Sequence, residues 1–205
     1  MVKDEILVSM AKNGDLEAYE ALVQRYQHKV FNIVARMVHN REDVLDLAQE
    51  IFFQVYLALP GFRGDSIFGT WVYRVASNKC LDFLRRDKAE KEKIRAAIFE
   101  DDILAGDSRG SPEELVIRRE ESGRVLMAIE SLPMNYRIVI VLHHYQRLSY
   151  KDIAEILDRP VKTVATRLYR AKLILRKKLT GGEYGELQAG KSQPGKLPGK
   201  GILLV

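Results

Sequence analysis

The chain has 205 residues, 46% hydrophobic and 30% charged, a balance that suits one medium or two small folded domains and argues against wholesale disorder. A single cysteine, Cys80, excludes an internal disulfide and a cysteine-based zinc site, and no apolar run reaches the roughly 18–20 residues needed to span a bilayer. The formal net charge of +5 points to a polyanionic partner.

The N-terminal stretch MVKDEILVSM lacks the apolar core of a signal peptide, so the expected compartment is the cytoplasm. Apolar residues at three- and four-residue steps predict a helix over Asp15–Val38. Asn40 and Arg41 mark a turn. A second helix is predicted over Glu42–Leu59, with Leu45, Ala48, Phe52, Val55 and Leu59 as its apolar stripe and Pro60-Gly61 as its stop. The loop Phe62–Ser66 leads to a third helix over Phe68–Arg86. No segment alternates with period two, so the expected fold class is all-α.

Residues 87–111 lose the apolar period and read as a linker, with at most a helical turn at Ile94–Ile98. Ser111-Pro112-Glu113-Glu114 has the composition of a helix start, with a capping hydroxyl, proline at the first position and acids against the positive dipole end. That helix is expected to run to Ser131 and to be broken by Pro133. Three more follow at Tyr136–Tyr145, Ser149–Leu157 and Val161–Leu179. The Gly/Pro-rich stretch 180–205 cannot form a packed core. The expected domains are therefore 1–88 and 112–179, joined by a linker at 89–111 and followed by a disordered tail.

Charge is distributed unevenly along this plan. Residues 1–60 carry 6 Lys/Arg against 9 Asp/Glu, whereas 161–180 carry 7 Lys/Arg and no acid. A merely solvated helix face would mix signs, so the last helix reads as a phosphate-facing surface. Together with the short capped helix before it, it has the form of a helix-turn-helix. Val164, Leu168, Ala171 and Leu175 form its buried stripe. Lys162, Thr163, Thr166 and Arg170 are candidates for base edges, and Arg167, Lys172, Arg176, Lys177 and Lys178 for phosphates.

Two other segments carry chemistry. Residues 62–79 interleave aromatics with basic and amide groups, a mixture that suits unpaired bases, because aromatic faces stack on any base. Trp71 shares an apolar sector with Val72, Val75 and Ala76, so core packing competes with base stacking there. Phe62 and Asn78 are less easily placed in a core. Glu42, Asp46 and Glu50, spaced four apart, form a carboxylate ridge. Such a ridge suits a basic partner; metal binding and general acid–base catalysis are the alternatives, but neither a histidine nor a second carboxylate set accompanies it.

In order, Asp46-Leu47-Ala48-Gln49-Glu50-Ile51-Phe52, Phe62-Arg63-Gly64-Asp65-Ser66, Phe68-Gly69-Thr70-Trp71-Val72-Tyr73-Arg74-Val75-Ala76-Ser77-Asn78, Pro112-Glu113-Glu114, Leu132-Pro133 and Leu148-Ser149-Tyr150-Lys151-Asp152-Ile153-Ala154 resemble a bacterial sigma-70 family factor of the extracytoplasmic-function group, sigma-E/sigma-W-like. The resemblance spans about Asp4–Leu179. It implies a sigma-2-like bundle and a sigma-4-like helix-turn-helix domain on a flexible linker. It further implies that Asp46, Gln49, Glu50 and Phe52 bind core RNA polymerase (beta and beta-prime subunits). Phe62, Arg63, Trp71, Arg74, Asn78 and Lys79 would meet single-stranded −10 DNA, and Lys162, Thr163, Thr166, Arg167, Arg170 and Lys177 the −35 duplex.

The resemblance implies no catalytic residue, metal, cofactor or small-molecule substrate. It does imply an anti-sigma factor that keeps the protein inactive until a stress signal, in the cytoplasm or at the inner face of the membrane. The family's recognition turn often reads Pro-Val-Gly-Thr-Val; here it is Pro160-Val161-Lys162-Thr163-Val164, followed by Ala165. A stand-alone helix-turn-helix regulator is the alternative, and it would need neither the 46–52 nor the 62–78 segment. A helical hydrolase built on the carboxylate ridge would lack a second shell. From composition alone, limited proteolysis should cut within 89–111 and leave 1–88 and 112–179 as folded pieces; protection of that stretch in the free protein would count against two independent modules.

Overall fold

A computed structural model of the protein describes residues 2–98 and 118–180. All regular structure among them is helical: α1 (Asp4–Lys12), α2 (Leu16–Met37), α3 (Arg41–Ala58), a 3-10 turn (Leu59–Gly61), α4 (Phe68–Ile98), α5 (Arg118–Glu130), α6 (Met134–Ile140), a π-helical turn (Val141–Tyr145), α7 (Tyr150–Leu157) and α8 (Val161–Leu179). The expected helix start at Ser111–Glu114 and the tail 181–205 lie outside the described residues.

Local chemistry sets the boundaries. Asp15 caps α2 by accepting the Ala18 amide at 3.0 Å, and Asn40 caps α3 by accepting the Glu42 amide at 3.1 Å. Ser149 and Asp152 form a reciprocal capping box at the start of α7. Asp158 ends α7 in the left-handed region (φ 49°), a conformation that its short polar side chain tolerates, and Pro160 then leads into α8. The chain thereby turns from α7 into α8 within three residues.

Three details differ from the sequence expectation. α1 adds a helix before Asp15, packed on α2 through Leu7, Val8 and Ala11. Val55 and Leu59 are buried as expected, but the first three positions of the stripe are Val44, Leu47 and Ile51, each one residue before the expected Leu45, Ala48 and Phe52; Leu45 is 49% exposed. α4 continues past Arg86 to Ile98, so 89–98 of the expected linker is helical. Its extension is laced by the pairs Lys91–Asp87 (2.7 Å) and Lys88–Glu92 (3.6 Å), both at i,i+4 spacing.

The two halves are not separate bodies. The buried apolar residues form one connected cluster from Leu7 to Leu175, with α4 packed on α7 and α2 packed on α5, α6 and the π-helical turn. Arg137, at the start of α6 and 7% exposed, is the polar centre of this contact. Its Nη1 donates to the Met37 carbonyl at the end of α2 (2.7 Å), and its Nη2 donates to the Leu132 carbonyl (3.2 Å) and to that of Glu130, the last residue of α5. Around it His39 Nδ1 lies 3.4 Å from Glu130 Oε2, and the Arg36 guanidinium lies 3.8 Å from the centre of the Tyr145 ring. Gln146 donates to the Lys29 carbonyl at 3.4 Å. Burial lowers the Arg137 pKa, and Glu130 opposes that shift.

Replacing Arg137 with alanine should therefore destabilise the protein by about 2–4 kcal/mol, because it opens a cavity and strips donors from buried carbonyls. Arg137→Met, which restores most of the volume but no donor, should recover only part of the loss. Urea denaturation of the two variants measures both terms; an unchanged midpoint for Arg137→Ala would show that the guanidinium contributes nothing net.

Candidate nucleic-acid interface

The outward face of α8 comes first, because its geometry follows most directly from its sequence. Val164, Leu168, Ala171 and Leu175 are buried, as their spacing predicts. This rotates Lys162, Thr166 and Arg170 outward, all exposed, with Thr163 and Arg167 half-buried at the edge. These five side chains, together with Asn135 and Tyr136 from the first turn of α6, line an open concavity of about 490 Å³. Lys177 is exposed two turns beyond Arg170 and does not line it.

No described ion pair neutralises Lys162, Arg167 or Arg170. The Thr166 hydroxyl donates to the Lys162 carbonyl at 2.8 Å, so towards a base it can only accept a hydrogen bond or offer its methyl group. Tyr169 (66% exposed) and Leu173 (48%) lie on the same arc. Neither was among the candidate contacts, although their period already placed them facing outward.

The aromatic segment occupies the 62–66 loop and the start of α4. Gly64 takes φ +80°, which a side chain would strain. At Gly69 a Cβ would lie 3.1 Å from the Tyr26 ring, so glycine lets α4 approach α2 closely. Phe62 is half-buried, its ring centroid 5.0 Å from that of Trp71 and 5.7 Å from that of Phe68. It is thus part of an aromatic cluster rather than a free loop side chain, and its carbonyl accepts from Lys12 Nζ at 2.9 Å. Trp71 is half-buried, packed against the core on one side and partly open on the other.

Trp71, Arg74 and Asn78 fall within about 60° of one another on the helix. Asn78 is exposed and Arg63 lies exposed in the loop. Arg74 is engaged by the other half of the molecule: its Nη2 donates to the Glu155 carbonyl of α7 at 3.1 Å and lies 3.7 Å from Glu155 Oε1. Lys79 points elsewhere and meets Glu50 of α3 at 2.5 Å.

That ion pair joins the aromatic segment to the acidic ridge. Glu42, Asp46, Gln49 and Glu50 are all exposed. Phe52, expected beside them, is half-buried, and its carbonyl accepts from the Tyr19 hydroxyl at 2.5 Å. Its neighbour Phe53 is 63% exposed, with Leu57 at 55% one turn on. On a 100° wheel these two lie among the carboxylates, so the face is mixed acidic and apolar. Two consecutive phenylalanines in a helix point about 100° apart, so Phe52 packs towards the core while Phe53 faces solvent.

The thiol of Cys80, fully buried, is pushed up to about 12 by burial and stays protonated. Among the described residues no three metal-type side chains converge, and no helix is long and apolar enough to cross a membrane.

Comparison with known proteins agrees with this geometry. Residues 22–90 match the Sigma-70 region 2 model, and residues 122–175 match the Sigma-70 region 4 model. The chain is 41% identical over 174 residues to the ECF RNA polymerase sigma-E factor of Escherichia coli K12, covering 82% of this chain and 90% of that one. It is 37% identical over 182 residues to the RNA polymerase sigma-H factor of Pseudomonas aeruginosa, covering 86% and 94%. The solved structure of CnrH in complex with the cytosolic domain of CnrY superimposes with a TM-score of 0.65 at 26% identity, over 87% of this chain and 97% of CnrH. Two helical domains, an exposed basic face on α8 and two region matches in order along the chain lead to one assignment: the chain belongs to the extracytoplasmic-function group of sigma-70 family RNA polymerase sigma factors.

Proposed function

We propose that this sigma factor docks on core RNA polymerase through the α3 face and reads its promoter in two places. On this reading Asp46, Gln49 and Glu50, with Phe53 and Leu57 supplying apolar area beside the half-buried Phe52, meet the polymerase. Phe62, Arg63, Trp71, Arg74, Asn78 and Lys79 serve the single-stranded −10 element. Lys162, Thr163, Thr166, Arg167, Arg170 and Lys177 serve the −35 duplex. The protein works in the cytoplasm, adds no catalysis of its own and leaves bond formation to the polymerase. Its working units are 1–88 and 112–179. The observation that carries the reading is the open concavity beside α8 lined by Lys162, Arg167 and Arg170, none of which is held in a described ion pair.

Geometry adds a requirement. Elements named −10 and −35 lie about 25 base pairs apart, or about 85 Å at 3.4 Å per pair. Here α7 packs directly on α4, and Arg74 is tied to Glu155. A chain in this closed arrangement cannot span both elements, so the two halves separate on the promoter. A partner that holds them together would hold the factor inactive, which is the role we assign to an anti-sigma factor. The likeness to CnrH, solved with the cytosolic domain of CnrY, supports it.

Polymerase docking and duplex reading are separately testable. Asp46→Arg combined with Glu50→Arg should abolish capture by core polymerase while leaving helicity unchanged; undiminished capture would place the docking surface elsewhere and favour a stand-alone regulator. On the duplex, Arg170 lies on the outward arc, where its fork of donors can reach guanine O6 and N7. Arg170→Ala should cost about 1–3 kcal/mol on the preferred −35 sequence and much less on a scrambled one. Lys177→Ala should weaken both about equally and reduce the salt slope by roughly one ion. Equal losses for Arg170→Ala on both duplexes would make it a phosphate contact.

A further inference from the structure

The concavity beside α8 has a second wall, which the region 4 reading leaves unused. Asn135 and Tyr136 form it, and they come from α6, outside the helix-turn-helix pair. Asn135 is exposed and Tyr136 half-buried, its ring packed against the core. Among the described residues no hydrogen bond occupies the Asn135 amide or the Tyr136 hydroxyl, although both border a site with three unpaired cations. The next residue is Arg137, whose guanidinium donates to three backbone carbonyls, which anchors the turn that carries them.

The kind of ligand follows from dimensions. A helix with its side chains is about 10–12 Å across and fills a major groove about 12 Å wide. With α8 in the groove, a wall standing beside it meets the groove's rim, which is sugar and phosphate, and not base edges. We propose that Asn135 and Tyr136 donate to a phosphate on the strand bordering the −35 duplex and so fix the depth and register of α8. This rests on the reading of α8 as the duplex-binding helix. Both donors are neutral, so their contacts add affinity without displacing a counterion. That separates them from the lysines and arginines, whose loss changes the salt slope.

The experiment uses the full chain, a duplex enriched by it from a random-sequence pool, and a shuffled duplex of the same composition. Tyr136→Phe keeps the packed ring and removes only the hydroxyl; Asn135→Ala removes the amide. Each should weaken binding to both duplexes by the same factor, about three- to tenfold, with an unchanged salt slope. Phosphate-ethylation interference should lose one position in each variant relative to wild type. Unchanged affinity, a loss confined to the enriched duplex, or an interference pattern identical to wild type would overturn the assignment. A lowered melting temperature with unaltered binding would do the same. Failure of the wild type to prefer the enriched duplex would instead sink the −35 reading itself, a result visible before either variant is made.

Discussion

One guanidinium holds the closed arrangement together. A helix leaves its last four carbonyls without intrahelical donors, and two such ends, of α2 and of α5, converge at Arg137. Both ends carry the negative pole of a helix dipole, so a buried cation is the natural complement. Arginine suits the place better than lysine: two nitrogens at fixed separation serve the Met37 carbonyl on one side and those of Glu130 and Leu132 on the other, which a single ammonium nitrogen cannot match. The other polar contacts between the halves are more exposed. Arg74–Glu155 is about 40% open at both side chains and His39 is 55% open, so solvent screens them and each contributes little. The interface therefore combines apolar packing with a single desolvated polar centre, a composition that can hold two domains together and still release them.

This explains why the halves were legible from sequence and their union was not. Each half follows from local rules. The stripe Val164–Leu168–Ala171–Leu175 carries no charged residue and lies opposite the basic arc of α8, so its burial could be read from the sequence. The Ser149–Asp152 box and the Asp158–Pro160 turn are written in adjacent residues. The link from Arg137 to Met37 crosses 100 positions, and nothing in the neighbourhood of either residue announces it.

The errors have physical causes as well. α3 is apolar on two sides, because one side packs in the core and the other is left exposed at Leu45, Phe53 and Leu57. Periodicity then admits stripes that start at Val44 or at Leu45, and only the tertiary contacts with α2 and α4 choose between them. The end of α4 fails differently. Beyond Arg86 the helix is solvated and stabilised by charge pairs at i,i+4, so a search for an apolar period finds nothing there. Phe62, in a loop and less easily placed in a core from sequence, is held by the rings of Phe68 and Trp71. Loop position alone does not make a side chain available.

The three candidate faces are not equally accessible in the closed arrangement, and the inequality orders their use. The carboxylates of α3 and the concavity of α8 are open to solvent. The α4 face that carries Trp71, Arg74 and Asn78 is partly engaged, since α7 packs on α4 and Glu155 holds Arg74. On the proposed assignment, polymerase docking and duplex contact need no prior opening, whereas reading unpaired bases does. The energy for opening must then come from a partner that binds the separated halves better than the joined ones, since equal affinity for both shifts nothing. Core polymerase can do so only if it grips both halves at the spacing of the promoter elements. A partner that contacts both halves as they are now joined acts in the opposite direction. One equilibrium between joined and separated halves is thus enough to make the same chain an initiation factor with one partner and an inert one with another.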